Sequence, residues 1–282
     1  MSTIVVIGGG AAGFFAAIAS AEANPDHRVI LLEKGKEVLG KVLISGGGRC
    51  NVTHACFDPK ELATHYPRGS KELLGPLHKF QPGDTMEWFA DRGVELKIEG
   101  DNRVFPITDS SSTIANCLIE MAEGAHVEIK KTSGVKTFSQ TEDGGWKVFM
   151  TSGDALRADK LMIATGSSKG VWEQLKKVGH KIIPPVPSLF TFNIKDPRIN
   201  GLSGISLPNA TIQVASSDLE SSGPLLITHW GMSGPAVLRL SAWGAYELND
   251  RFYRFPILVN WIGRDEDVVV SDFMQEKKFS GK

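Results

Sequence analysis

The chain has 282 residues, with 31 Lys and Arg against 32 Asp and Glu and a formal net charge of −1. This balance gives no excess of positive charge that would indicate binding to nucleic acid or to an anionic membrane surface. No apolar run approaches the roughly 20 residues that span a bilayer. Three cysteines without a disulfide framework, and an N-terminus without signal-peptide features, favour a cytoplasmic protein with neither nucleic-acid nor membrane partners.

The first third of the chain begins with a β-turn-α-β unit. Residues 4–8 form a short β-branched run typical of a strand that is buried on both faces. A small-residue helix is predicted over 11–23, where Asn24-Pro25 ends it, and a second buried strand is predicted over 27–34. This spacing of about 30 residues is typical of dinucleotide-binding units.

The turn of this unit carries the pattern Gly8-x-Gly10-x-x-Gly13. Gly8 permits a tight turn, Gly10 lets a pyrophosphate approach the backbone, and Gly13 lets the helix pack on the strand. Glu33 ends the second strand, where its carboxylate is suited to bind ribose hydroxyls. A merely structural glycine turn is the alternative.

Between this unit and residue 180 the pattern predicts further helices and strands. Helices are expected over 84–93, with Asp84 as N-cap, and over 112–124. A three-stranded meander is expected from 126–131, 135–141 and 146–152. A buried strand over 159–166 ends in Ala164-Thr165-Gly166, small residues that let a chain pass close under a bound cofactor.

Prolines at 184, 185 and 187 predict a linker and a domain boundary at 186/187. Strands over 190–194, 211–215, 225–228 and 255–262 and a helix over 233–248 predict a second, β-rich domain. The predicted fold class is therefore α/β: a Rossmann-like domain over 1–186 with a three-stranded β-meander, followed by a β-barrel-like domain with a helix over 187–282.

Two further segments have compositions suited to binding. In Ser45-Gly46-Gly47-Gly48-Arg49-Cys50-Asn51 the glycines would expose consecutive amides as an anion nest, while a flexible surface loop is the alternative. His229 precedes a Gly-Met-Ser-Gly turn at the start of the predicted helix, where it would face a substrate; a core histidine beside a helix cap is the alternative. Cys50 and Cys56 have no redox-motif spacing, and no metal-ligand spacing is apparent.

Taken together, GGGAAGFFAAI, LLEK, GKVLISGGGRCN, VFP, ATG and THWGMSGPAVL resemble the BaiN/YhiN-type bacterial NAD(P)/FAD-dependent oxidoreductases, which have a glutathione-reductase-like FAD domain. The resemblance implies flavin redox chemistry on small organic molecules and a substrate-side domain inserted after Pro187. It also implies roles in FAD binding for a set of residues: Gly8, Gly10, Ala11, Ala12 and Gly13 at the pyrophosphate, Glu33 and Lys34 at the ribose, Ser45 to Asn51 at the flavin, Val135 at the adenine, and Ala164, Thr165 and Gly166 along the cofactor.

Two function classes follow from this resemblance. The first is an FAD-dependent oxidoreductase that acts on an unidentified small organic substrate, with NAD(P)H as the candidate transient electron donor. The second is a truncated, catalytically inactive flavin-binding protein, because members of the family continue beyond this length with a C-terminal segment that returns to the FAD domain. On that basis we expect the 282-residue chain to bind FAD weakly; stoichiometric binding at sub-micromolar FAD would contradict this expectation. A third class, an NAD-dependent dehydrogenase, lacks support because no pair of catalytic acid and base residues follows the βαβ unit at a recognisable spacing.

Overall fold

The computed structural model of the chain describes residues 1–264 and 266–280. It divides into two compact units, Met1–Ile182 (unit 1) and Ile183–Lys282 (unit 2). None of the described helices is both long and apolar enough to cross a membrane.

Unit 1 contains ten strands and seven α-helices among its described residues. The strands are β1 (Thr3–Ile7), β2 (Arg28–Leu32), β3 (Thr53–His54), β4 (Leu96–Ile98), β5 (Arg103–Pro106), β6 (Glu128–Lys130), β7 (Val135–Gln140), β8 (Trp146–Met150), β9 (Ala155–Ala158) and β10 (Lys160–Ile163). The helices are α1 (Ala11–Ala23), α2 (Gly40–Ile44), α3 (Pro59–Thr64), α4 (Ser70–Lys79), α5 (Pro82–Ala90), α6 (Ser111–Gly124) and α7 (Lys169–Lys177).

A parallel sheet in the order β10-β1-β2-β6 is the centre of unit 1. Side chains alternate across it: Val6 joins Phe14 of α1 and Leu118 of α6 in one core, whereas Val5 joins Phe138 of β7 in another. Both faces of β1 are therefore covered, which is why its residues Ile4 to Ile7 are all apolar.

The β-meander differs from the prediction in its strands. Residues 128–130 form β6, which pairs in parallel with β2, with Ile30 opposite Glu128. The meander is instead β7-β8-β9, and its third strand is Ala155–Ala158. The physical reason is that α6 provides the crossover that a parallel strand requires, so the chain re-enters the central sheet after Gly124.

Helix α5 also begins earlier than predicted. It starts at Pro82 with Gln81 as N-cap, and Asp84 occupies the third helical position, where its carboxylate accepts a hydrogen bond from the Gln81 amide at 2.7 Å. Asp84 therefore completes a capping box and is not the N-cap.

Unit 2 contains strands β11 (Phe192–Asn193), β12 (Ser206–Val214), β13 (Glu220–Thr228), β14 (Gly231–Ser233) and β15 (Ile257–Asn260), and helices α8 (Pro235–Trp243), α9 (Ala245–Asp250) and α10 (Glu266–Ser280). The strands form an antiparallel half-barrel sheet in the order β11-β14-β13-β12-β15. Its core joins Ile212 and Leu225 of the sheet to Leu240 and Leu248 of the helices.

The single helix that was predicted over 233–248 is divided into α8 and α9 at Gly244. A Cβ atom at Gly244 would overlap the Leu219 side chain and lie 3.1 Å from the Leu240 carbonyl oxygen. A larger residue at Gly244 would therefore require the Leu219 side chain to move.

Candidate functional site

The glycine turn after β1 is held by close backbone approaches. Gly8 has a φ of +113°, its amide donates to the Leu32 carbonyl at 2.8 Å, and a Cβ atom there would lie 2.5 Å from the Ala164 carbonyl oxygen. A Cβ atom at Gly13 would overlap the Gly8 carbonyl oxygen. Glycine is thus required at Gly8 and Gly13 because β1, α1 and the end of β10 pack too closely there for a side chain.

Gly10 differs from its two neighbours in the motif. A Cβ atom on Gly10 would meet no atom of the described residues within 4 Å, and its φ of −94° is accessible to any residue. It precedes α1, whose first turn has no side-chain cap and begins with the exposed residues Ala11 and Ala12. The space beside Gly10 and the uncapped helix amides form a cradle that is suited to a phosphate group.

Glu33 ties this turn to the end of β2. Its Oε2 accepts from the Gly9 amide at 2.8 Å, and its Oε1 accepts from the Gly35 amide at 2.7 Å. Both carboxylate oxygens therefore hold the backbone, while each keeps a further lone pair for a ribose hydroxyl. The sequence predicted the ribose role, but its spacing carried no signal for the clamp between two backbone amides.

Lys34 and Val135 lie at the same edge of unit 1. The Ser133 amide donates to the Glu33 carbonyl at 2.7 Å, and a Cβ atom at Gly134 would lie 3.4 Å from Lys34 Cβ. Val135, the first residue of β7, therefore lies close in space to the Glu33–Lys34 segment. The structure brings together the residues that were predicted to surround the adenosine.

The glycine-rich segment 45–51 forms a tight turn of left-handed backbone. Gly46, Gly47 and Gly48 have φ values of +57°, +69° and +87°, and Cys50 has a φ of +61°. A Cβ atom at Gly46 would lie 2.7 Å from the Asn51 amide nitrogen. Ser45 closes the turn by accepting from the Cys50 amide at 3.0 Å. Cys50 is buried, and this burial raises the pKa of its thiol.

Arg49 is held by partners from outside the turn. Its guanidinium lies 3.9 Å from the ring centre of Phe105 and contacts carboxylate oxygens of Glu99 at 2.7 Å and Asp109 at 3.0 Å. The hydrogen bond to Arg49 lowers the pKa of the Glu99 carboxyl. Two acids 50 and 60 residues away thus balance this cation, and no local pattern could have revealed them.

The segment Ala164-Thr165-Gly166 follows β10 and lies beside the glycine turn. The Ala164 amide donates to the Ile7 carbonyl at 2.8 Å, and Gly166 has a φ of +57°. The Nζ atom of Lys41 lies 3.6 Å from the position of a Cβ atom on Gly166. Lys41, which sequence reasoning missed, therefore places a cation at the carboxyl end of the parallel sheet.

His229 lies in unit 2, in the two-residue turn between β13 and β14, where Thr228 pairs with Gly231. His229 and Trp230 are both exposed, so the alternative of a packed core histidine is wrong. Residues 231–233 form β14 rather than the predicted turn, and the helix begins at Pro235. The role of His229 toward a flavin stays a prediction.

Comparison with known proteins gives one family and several relatives. The protein-family model described as HI0933-like protein Rossmann domain matches residues 2–280 of the chain. The chain is 29% identical over 271 residues to a 3-dehydro-bile acid delta(4,6)-reductase of Clostridium scindens, with 92% of this chain and 65% of the relative covered. It is 28% identical over 250 residues to a ribosomal RNA dihydrouridine synthase of Escherichia coli, with 85% and 60% covered.

Among solved structures, the chain is similar to the open conformation of a flavocytochrome c3 fumarate reductase. The TM-score is 0.54 at 19% identity, and the match covers 73% of this chain and 46% of that chain. This likeness establishes the fold. The chain spans 65% and 60% of the lengths of the two curated relatives.

Proposed function

Because the chain belongs to the HI0933-like Rossmann family of BaiN/YhiN-type flavoproteins, we propose that unit 1 binds FAD as part of an FAD-dependent oxidoreductase. The observation that carries the proposal is the cradle at Gly10, where nothing in the described part of the chain would lie within 4 Å of an added Cβ atom. An uncapped α-helix begins beside it, and the carboxyl ends of parallel strands meet there, the usual ligand position in such sheets.

In this proposal each part of unit 1 holds one part of the cofactor. Gly8, Gly10, Gly13 and the first amides of α1 bind the pyrophosphate, and Glu33 binds the ribose with its remaining lone pairs. Lys34 and Val135 flank the adenosine. Residues 45–51 and 164–166 line the flavin end, with Lys41 as an additional cation. When bound, FAD supplies the hydride chemistry, and the chain provides position, charge and exclusion of water.

The proposed reaction is the addition of hydrogen across a carbon–carbon double bond of a small organic molecule. The names of the two relatives support this class, since one is a delta(4,6)-reductase and the other makes dihydrouridine, which is uridine with two added hydrogens. NAD(P)H is the proposed transient donor. We favour a small molecule over RNA because 31 basic residues are matched by 32 acidic ones.

The position of His229 supports a catalytic role for this residue. His229 is an exposed imidazole at a hairpin turn of unit 2, so it is accessible for orienting or protonating a substrate.

The cysteines support a cytoplasmic location. Cys50, Cys56 and Cys117 are free thiols, as a reducing compartment would leave them.

The experiment begins with mass spectrometry of the cofactor released by heating the purified protein. Absorbance then follows reduction by NADH or NADPH, and reoxidation by steroid-like enones or by unmodified ribosomal RNA. We expect FAD to be released at less than one equivalent per chain, because this chain is expected to bind FAD weakly, and we expect an enone to reoxidise the reduced protein. Release of another nucleotide would contradict the cofactor assignment, and reoxidation by RNA alone would contradict the substrate class. FAD that no donor reduces would favour the non-catalytic alternative.

His229 is tested by His229→Ala, with His180→Ala as a matched control because it removes an exposed histidine of unit 1. Loss of a general acid should lower kcat by roughly 100- to 10,000-fold, while His180→Ala should leave kcat unchanged. An unchanged kcat in His229→Ala would remove the proposed role.

A further inference from the structure

We propose that Cys56, Glu61 and His65 form a binding site for a divalent transition metal of the zinc class. The candidate ligand atoms of these three residues all lie within 4.8 Å of one another. The cluster lies in unit 1 and uses none of the residues assigned to FAD. The inference therefore stands or falls independently of the proposed function.

The local fold builds this cluster from one loop and one short helix. Cys56 follows β3 closely, and its thiol lies 3.9 Å from the Asp58 carbonyl oxygen. Asp58 caps α3 by accepting from the Glu61 amide at 2.8 Å. Glu61 and His65 are four residues apart, so the helical turn places both on the same face as the cysteine.

The chemistry of the three ligands selects the metal. A thiolate, an imidazole and a carboxylate are the donors that zinc prefers, whereas magnesium and calcium require sets of oxygen ligands. The thiolate and the carboxylate together balance a divalent charge. Cys56 is buried while Glu61 and His65 are exposed, which gives the sulfur a shielded position and leaves the site accessible from solvent.

His54 provides a second, independent observation. Its ring centre lies 5.7 Å from that of His65, and its Nδ1 atom is buried with no hydrogen-bond partner among the residues that the structure describes. A buried, unsatisfied ring nitrogen requires an explanation in a native structure. We assign His54 as the fourth donor of the metal site; because it is not one of the three residues whose ligand atoms already lie together, its ring must move toward them when the cation binds. Four donors would complete the tetrahedral set typical of structural zinc.

The test is titration of the purified 282-residue chain with Co²⁺ in a non-thiol reductant, recorded as difference spectra against the metal-free protein. We expect one equivalent of Co²⁺ to produce a thiolate-to-cobalt charge-transfer band, which Zn²⁺ then abolishes by displacement. Cys56→Ser should remove the band. His65→Ala, Glu61→Gln and His54→Ala should each weaken Co²⁺ binding at least tenfold. Cys117→Ser, which changes another buried cysteine, should leave the titration unchanged.

Several results would overturn the site. These are a wild-type protein without the band, a band that persists in Cys56→Ser, or a band that is also lost in Cys117→Ser. Unchanged affinity in both His65→Ala and Glu61→Gln would do the same, and unchanged affinity in His54→Ala would remove His54 from the set. Circular dichroism of each variant, with the wild-type spectrum as reference, separates loss of a ligand from loss of the fold.

Discussion

The two glycine-rich turns of unit 1 use glycine for different physical reasons. In the first, Gly8 and Gly13 are required because a side chain would meet backbone atoms, the Ala164 carbonyl for Gly8 and the Gly8 carbonyl for Gly13. In the second, Gly47 and Gly48 have open space around them but φ values of +69° and +87°. Packing excludes a side chain at Gly8 and Gly13, although Gly8 also has a positive φ of +113°, whereas backbone conformation alone selects Gly47 and Gly48.

Gly10 fits neither reason. It has open space and an ordinary φ of −94°, so nothing in the described protein itself requires glycine there. The fold requires glycine at Gly8 and Gly13 but not at Gly10. A glycine that the fold does not require, placed between two that it does require, indicates a ligand that approaches the backbone. Substitutions at these positions therefore separate folding from binding.

The largest effect is expected from Gly13→Ala. The added methyl group would overlap the Gly8 carbonyl oxygen, and neither backbone segment is free to move without separating α1 from β1. We expect a loss of about 3 kcal/mol or more in the free energy of unfolding, at the upper end of the cost of overpacking. Urea denaturation measured without FAD checks this, and an unchanged midpoint would refute the packing argument.

Gly10→Val is the matched variant, and it should lower the affinity for FAD without lowering the stability of the fold. The Cβ atom of valine would meet no atom of the described residues within 4 Å, and the backbone conformation at this position is accessible to valine, so the urea midpoint without FAD should stay close to the wild-type value. The side chain fills the proposed pyrophosphate position, and FAD affinity should fall at least about 100-fold, or roughly 3 kcal/mol. Fluorescence titration with FAD measures this, and equal occupancy in both proteins would sink the site assignment.

Glu33→Ala should have a smaller effect on both quantities. It removes the acceptors of the Gly9 and Gly35 amides as well as the proposed ribose contact. Leaving part-buried amides without acceptors costs about 1–3 kcal/mol of stability, and FAD affinity should fall less than in Gly10→Val. Glu33→Gln, which retains one side-chain oxygen, should lie between wild type and Glu33→Ala in urea denaturation. Identical stability of all three proteins would contradict the clamp.

The smallest effect is expected from Gly47→Ala, for which Gly40→Ala is the control. Alanine at Gly47 must adopt a left-handed φ, which costs about 1–2 kcal/mol. Gly40 also has open space but begins α2 without a positive φ, so alanine there should leave stability unchanged or raise it by up to about 1 kcal/mol. Thermal melting of the two variants should shift in opposite directions or differ clearly. Equal shifts would show that the second turn does not depend on backbone conformation.

Local patterns in the sequence were sufficient for the elements that form the proposed cofactor cradle. The apolar run of β1, the glycine motif, the small-residue helix α1 and the spacing to Glu33 all depend on neighbours within about 30 residues, the span of one βαβ unit. The predicted strands of unit 2 also correspond to β11, β12, β13 and β15, and the single predicted helix corresponds to two helices, α8 and α9. Periodicity and turn chemistry are short-range properties, so one sequence is enough to read them.

Tertiary pairing decided the rest. Residues 128–130 alternate like a meander strand, yet they pair with β2 because α6 returns them to the parallel sheet. Arg49 is neutralised by Glu99 and Asp109, and Cys56 meets Glu61 and His65 only once α3 has formed. These contacts depend on where distant or differently oriented segments meet in space. The sequence by itself therefore determined the βαβ elements that form the cradle for which we propose FAD as ligand, while the folded chain decided which charges, strand edges and side-chain atoms lie together.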